Sequence, residues 1–157
     1  MYPDTPVSRI FTEKMIPHRV FIHPGSIKSL EQAAVERGQK PEQIVRSFVF
    51  RITEGEYVMV LMAGPGQISW PELRRYLGQS RLTMASEAEV LAVTGYPIGA
   101  VSPFGLPMPV RILVDESVLR EAEVSIGSGV RGTALILKTQ DLLNALKNYE
   151  TGRFGSR

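Results

Sequence analysis

The sequence predicts a single mixed α/β (α+β) domain, a mostly antiparallel sheet or barrel with short surrounding helices. Three observations predict it. A helix-capping signature occurs three times: Ser29 with Gln32 and Gly38, Ser69 with Glu72 and Gly78, and Ser86 with Glu89 and Gly95. Apolar runs over 44–52 and 57–63 flank Glu54-Gly55, the mark of a hairpin. Strand and helix signals alternate irregularly, which argues against a doubly wound parallel sheet. A chain of 157 residues suits one domain with a real core. The domain is expected over 1–150, with 151–157, rich in Gly, Ser and Arg, as a mobile C-terminal tail.

Each element has its own local reason. Thr5 can cap a first helix with Pro6 at its first position, and Val7, Ile10, Phe11 and Met15 recur at helical spacing. Pro17 ends that segment; 19–22 reads as a strand, and His23-Pro24-Gly25 as a turn. Gly64-Pro65-Gly66 breaks the strand over 57–63. Short strands are expected over 81–84, 110–114, 133–137 and ahead of Gly127. Thr139 can cap a last helix with Leu142, Leu143 and Leu146 inward. Trp70 reads as the first-turn residue of a helix packing on the sheet. Phe104, Leu106 and Met108 read as core in preference to pocket wall.

Composition narrows the function classes. Hydrophobic residues make up 43% and charged residues 22%, the balance of a globular chain. The longest apolar runs are too short to cross a bilayer, and no charged segment followed by an apolar one opens the chain, so a cytoplasmic protein is expected. The absence of cysteine removes disulfides, thiolate ligands and a cysteine nucleophile. A net charge of +2 permits a nucleic-acid partner without demanding one.

Most catalytic constellations are absent. His18 and His23 are the only histidines, neither in metal-ligating spacing, and both read as partly exposed polar residues. Ser102 lacks the Gly-x-Ser-x-Gly context of a nucleophile elbow. No metal and no cofactor are expected. Two Gly-rich segments stand out, Gly95-Tyr-Pro-Ile-Gly-Ala-Val-Ser-Pro-Phe-Gly105 and Ile126-Gly-Ser-Gly-Val-Arg-Gly132. Glycines let backbone approach a ligand or aim N–H groups at an anion. Neither segment is a Walker loop or a dinucleotide fingerprint, and on physics alone both can equally be tight turns.

The order of these segments resembles the YbaK/ProX family, whose fold also occurs as the editing insertion of bacterial prolyl-tRNA synthetases. Thr5-Pro-Val-Ser-Arg-Ile with Lys14-Met-Ile-Pro17 is similar to its opening, and Gln43-Ile-Val-Arg-Ser-Phe-Val49 to its Gln-Ile-Val-Lys-Thr-Leu-Val segment. The 95–106 loop is similar to its Gly-x-x-x-Pro loop, and Gly127-Ser-Gly-Val-Arg-Gly132 followed by Asp141-Leu142 to its C-terminal signature. The likeness covers about residues 5–147. Gly95-Tyr96 and Val101-Ser102-Pro103 look closest to free-standing YbaK/EbsC-type Cys-tRNA deacylases.

The resemblance implies hydrolysis of mischarged tRNA, with Cys-tRNA(Pro) first among substrates. Ala-, Ser- or Thr-specific editing, an inactive tRNA- or synthetase-binding module and a small-molecule binding protein are the alternatives. The partners it implies are the aminoacyl-tRNA 3′ end and prolyl-tRNA synthetase. Arg46, Gly99 and Ala100 would carry the chemistry. Ser47, Val101, Ser102, Pro103, Phe104, Gly127, Ser128, Gly129 and Arg131 would hold the substrate. Gly99 to Pro103 would frame the aminoacyl group, and Arg131 would offer a forked donor to phosphate. The family usually has Lys where this chain has Arg46 and commonly Thr where it has Ser47. Arg does not lose its proton at neutral pH, so Arg46 cannot serve as a base; the bland alternative is a solvated residue on a strand.

Overall fold

A computed structural model describes residues 4–156; the first three residues of the expected domain and the last of the expected tail lie outside it. Helix α1 (Pro6–Glu13) starts as expected: Thr5 Oγ1 accepts from Ser8 N at 3.0 Å and Ser8 Oγ accepts from Thr5 N at 2.8 Å. It ends before Met15, which adopts φ 59° and is 88% exposed, so the helical spacing overreaches there. Strand β1 (Arg19–Ile22) and helix α2 (Leu30–Arg37, capped by Ser29 and Gly38) follow.

The hairpin β2 (Val45–Thr53) and β3 (Glu56–Ala63) forms as expected, in register Ser47 to Leu61. Then come α3 (Trp70–Leu77), β4 (Thr83–Met84), α4 (Glu87–Thr94), β5 (Arg111–Asp115), β6 (Glu123–Gly127), β7 (Thr133–Lys138), α5 (Thr139–Leu146) and β8 (Glu150–Gly152). Trp70 opens α3 and packs edge-on against Phe50, ring centroids 5.2 Å apart. Of the three capping signatures only Ser86–Glu89 closes reciprocally; Ser29 and Ser69 each cap through their own hydroxyl. Thr139 is not a cap: it begins α5, and its hydroxyl donates to Glu121 O at 2.5 Å.

The strands form two sheets and no closed barrel among the described residues. One has the order β1-β7-β6 and is antiparallel throughout; the other has the order β4-β2-β3-β5-β8. In the second, β5 runs parallel to both β3 and β8. Val45, Val49, Met59 and Leu61 from the larger sheet meet Ile126, Leu135 and Leu137 from the smaller in the main core. Phe50, Val58, Val60 and Met62 point the other way, against Leu73, Leu113 and Phe154. The larger sheet is therefore buried on both faces, which explains the unbroken apolar run of β3.

The expected tail is corrected by this second core. Glu150–Gly152 pairs with β5, Phe154 is fully buried, and its N–H donates to Asp115 Oδ1 at 2.7 Å. A large aromatic side chain buried against a sheet orders the polar residues on either side of it.

Candidate active site

The sheets meet at the start of β2, where Ile44 bridges Ser125 of β6 in parallel fashion. Beside this junction lies a cavity of about 320 Å³. Its walls come from 44–49, from Met84, Ala85 and Val90 around α4, from Ile98, Gly99 and Val101, from Ile126, Gly127 and Thr133, and from Arg37 of α2.

The loop wall is built by the two Gly-rich segments, which pack against each other. Gly99 takes φ 93°, and Ala100 N donates to Pro97 O at 3.0 Å, closing a turn. Gly129 N donates to Ala100 O at 2.9 Å. A Cβ on Gly127 would stand 2.1 Å from Val101 O, so only glycine permits that approach. The hydroxyls here serve the fold. Ser102 Oγ accepts from Phe104 N at 3.2 Å, and buried Ser128 Oγ bonds Val130 O, Thr133 O and Val130 N, each at 3.1 Å. Tyr96 OH donates to Phe104 O at 2.6 Å, and burial pushes this phenol up from its usual pKa.

The strand wall differs. Ser47 Oγ and Arg46 Nε are buried and have no hydrogen-bond partner. Arg46 Nη2 donates to Gly66 O, its guanidinium lies 5.0 Å from the centre of the Phe48 ring, and burial lowers its pKa. Buried polar groups are normally satisfied, and those that are not call for an explanation such as a ligand.

Of the residues singled out from sequence, Arg46, Ser47, Gly99, Val101 and Gly127 line the cavity. Ala100, Ser102, Pro103, Phe104, Ser128, Gly129 and Arg131 stand behind or beside it. Ala100 is fully buried; Phe104 belongs to the main core; Arg131 Nε donates to Ile98 O at 2.9 Å.

Sequence reading missed Arg37 and misplaced His23. His23 is buried, not partly exposed: Nδ1 lies 2.5 Å from Glu36 Oε1, and Nε2 accepts from Arg37 Nε at 3.0 Å. Because Arg37 can only donate, Nε2 must be the acceptor and Nδ1 must carry the proton. Arg37 Nη1 donates to Ser125 Oγ at 2.9 Å. Hydrogen bonds from Gln32 and His23 hold the Glu36 carboxyl below its usual pKa, and burial lowers the Arg37 guanidinium to about 10. The adjacent Glu36-Arg37 pair on a capped helix was the available signal, but its target on β6 is invisible locally. The cavity is thus lined by apolar side chains, the two arginines Arg37 and Arg46, the hydroxyl residues Ser47 and Thr133 and, among the described residues, no carboxylate.

Among the described residues no three His, Cys, Asp or Glu side chains cluster as a metal site, and no helix is long and apolar enough to cross a membrane. Small-ligand sites are concave and mostly apolar with a few placed polar groups, and this cavity has that make-up. Residues 24–145 match the aminoacyl-tRNA editing domain, and the chain belongs to that family. It is 29% identical over 132 residues to the proline–tRNA ligase of Pelobacter propionicus, covering 80% of this chain and 23% of that protein. It is 33% identical over 100 residues to the proline–tRNA ligase of Thermosipho melanesiensis, covering 64% of this chain and 17% of the ligase. The chain therefore spans about a fifth of the length of these ligases. Its fold matches a crystal structure described as a candidate trans-editing enzyme for prolyl tRNA synthetase, with TM-score 0.85 and 26% identity over 99% of this chain and 100% of the other.

Proposed function

We propose that this protein hydrolyses the ester of mischarged tRNA in trans, with Cys-tRNA(Pro) as its first substrate. The observation that carries the reading is a cavity of amino-acid size lined by Arg37, Arg46 and Ser47, with Ser47 Oγ buried and unpaired at its edge; membership of the editing-domain family supports it. A water oxygen adds to the ester carbonyl carbon, the tetrahedral oxyanion collapses, and the bond to the ribose oxygen breaks. The water's proton passes to that ribose oxygen, releasing free amino acid and tRNA. Ser47 would donate to the carbonyl or hold the water, and Arg46 would stabilise the negative charge without serving as a base. The family resemblance implies that the neighbouring hydroxyl of the terminal ribose assists the water, which suits a cavity lined by no carboxylate or imidazole among the described residues. Apolar walls from Val45, Val49, Val90 and Ile126 suit a small uncharged side chain.

Cys, Ala, Ser, Thr and Pro esters of tRNA(Pro), with Cys-tRNA(Cys) as control, test this directly, beside an Arg46→Lys variant. Rapid loss of the Cys-tRNA(Pro) ester over the buffer rate is expected. Faster loss of another ester renames the substrate. Activity only in Arg46→Lys marks a lost reaction, and no ester loss by either, with tRNA still bound, leaves a binding module.

A further inference from the structure

We propose that Arg37 is a substrate-binding residue that holds an oxyanion of the substrate in this cavity, and that His23 positions it. The inference rests on the deacylase reading and names a residue which that reading does not use. Arg37 ends α2 and lines the cavity, bonded to Ser125 of β6. Its hydrogen bonds among the described residues engage Nε, with His23, and Nη1, with Ser125, leaving Nη2 as a donor. Both acceptors are neutral. Glu36, the carboxylate closest in sequence, is turned to His23 Nδ1 and to Gln32 Nε2 instead. The guanidinium is thus fixed at two nitrogens with no carboxylate bonded to it directly, Glu36 acting on it only from beyond His23, and no acid lines the cavity among the described residues. A partly desolvated cation in that state is stabilised by an anionic occupant, and a preoriented guanidinium suits one in particular. The buried imidazole sets its direction: with Glu36 holding the Nδ1 proton, Nε2 accepts and keeps the planar fork from rotating.

Two groups on an aminoacyl-tRNA present this chemistry, the oxyanion developing at the ester carbon and the phosphodiester of the terminal nucleotide. A contact made only in the transition state lowers kcat, and a contact made equally in the bound state raises KM. The experiment compares wild type, Arg37→Ala, Arg37→Lys and His23→Ala on aminoacyl-tRNA and on 3′-aminoacyl-adenosine, with thermal melting beside the kinetics. Arg37→Ala is expected to lower kcat/KM about 10- to 100-fold, as for loss of a charge-assisted hydrogen bond, with partial rescue in Arg37→Lys. A fall in kcat on both substrates assigns the ester oxyanion; a rise in KM on tRNA alone assigns the phosphodiester. His23→Ala is expected to move the same parameter less far and to add nothing in the Arg37→Ala background.

A folded Arg37→Ala within twofold of wild type on both substrates overturns the proposal. A His23→Ala that shifts only the melting temperature overturns the positioning role. Where Arg37→Ala does not fold, Arg37→Gln, which keeps an amide donor without the charge, reads the same comparison. If wild type hydrolyses no ester, the deacylase reading has failed and Arg37 is read through binding of an uncharged CCA trinucleotide. Tenfold weaker binding by the variant then supports the oxyanion contact, and unchanged binding removes it.

Discussion

The two walls of the cavity are built on opposite principles. Behind the loop wall the polar side chains bond the protein: Ser102 bonds Phe104, Ser128 bonds three backbone atoms, and Arg131 Nε bonds Ile98. On the strand wall Ser47 Oγ and Arg46 Nε have no partner. The loop wall, glycine-rich and conspicuous in sequence, shapes the cavity; the strand wall, an ordinary-looking segment of a hairpin, holds the buried polar atoms that the fold leaves unpaired. Conspicuous glycines mark where backbone must pass close to backbone, which is a demand of packing before it is one of chemistry.

The largest effect that can break this contrast comes from Gly127→Ala. The new Cβ would meet Val101 O at 2.1 Å and Val101 C at 2.9 Å, backbone atoms that can move only by displacing the loop. A loss of about 3 kcal/mol is expected, at the upper end for overpacking, together with loss of esterase activity. Urea denaturation measures it; a stability within about 0.5 kcal/mol of wild type, the scatter of surface substitutions, would mean that the segments do not interlock.

Ser47→Ala sharpens the contrast from the other side. It removes a hydroxyl that the folded chain leaves unsatisfied, so stability should hold or rise by up to about 1 kcal/mol. Activity should fall about 100-fold, the lower end of the loss for one donor at the developing oxyanion. Full activity with lowered stability would reverse the assignment and make Ser47 a structural residue.

What was legible in the sequence follows the range of the forces involved. The helices starting after Ser29, Ser69 and Ser86 could be read because capping is settled within four residues. The β2–β3 hairpin could be read because its turn and alternation are local. Strand β8 could not: Glu150-Thr151-Gly152 has no strand pattern and is ordered by parallel pairing with β5 and by Phe154 across the sheet. An open pair of sheets was indistinguishable from a barrel, since closure depends on partners far apart in sequence. At the site, Arg46, Ser47, Gly99, Val101 and Gly127 were reached through family resemblance. Arg37 and buried His23 were not, because 88 positions separate Arg37 from Ser125 and 14 separate it from His23.

The smallest expected effect concerns how the strand wall is held to α4, which gives Val90 to the cavity. Glu89 Oε2 accepts from Arg51 Nη1 and from Tyr57 OH, both at 2.8 Å, and Oε1 accepts from Ser86 N at 3.0 Å. The backbone hydrogen bond from Ser86, then that from Tyr57, hold the Glu89 carboxyl at about 2 against an ordinary 4.5. Glu150, bonded by Arg111 and Tyr76, is likewise held at about 2 on the far edge of the same sheet. A carboxyl with a depressed folded-state pKa contributes stability that is complete above the unfolded value and is lost as pH falls through the folded one. Wild type should therefore lose stability between about pH 4.5 and 2. The loss through Glu89 is modest because the group is near solvent. Glu89→Gln keeps the side chain's shape and removes its titration, so its urea midpoint should fall less steeply over that window. Equal slopes for both proteins would place the acid sensitivity at the other depressed carboxyls, Glu36 and Glu150, and mean that the charge on Glu89 adds nothing to holding α4 to the hairpin.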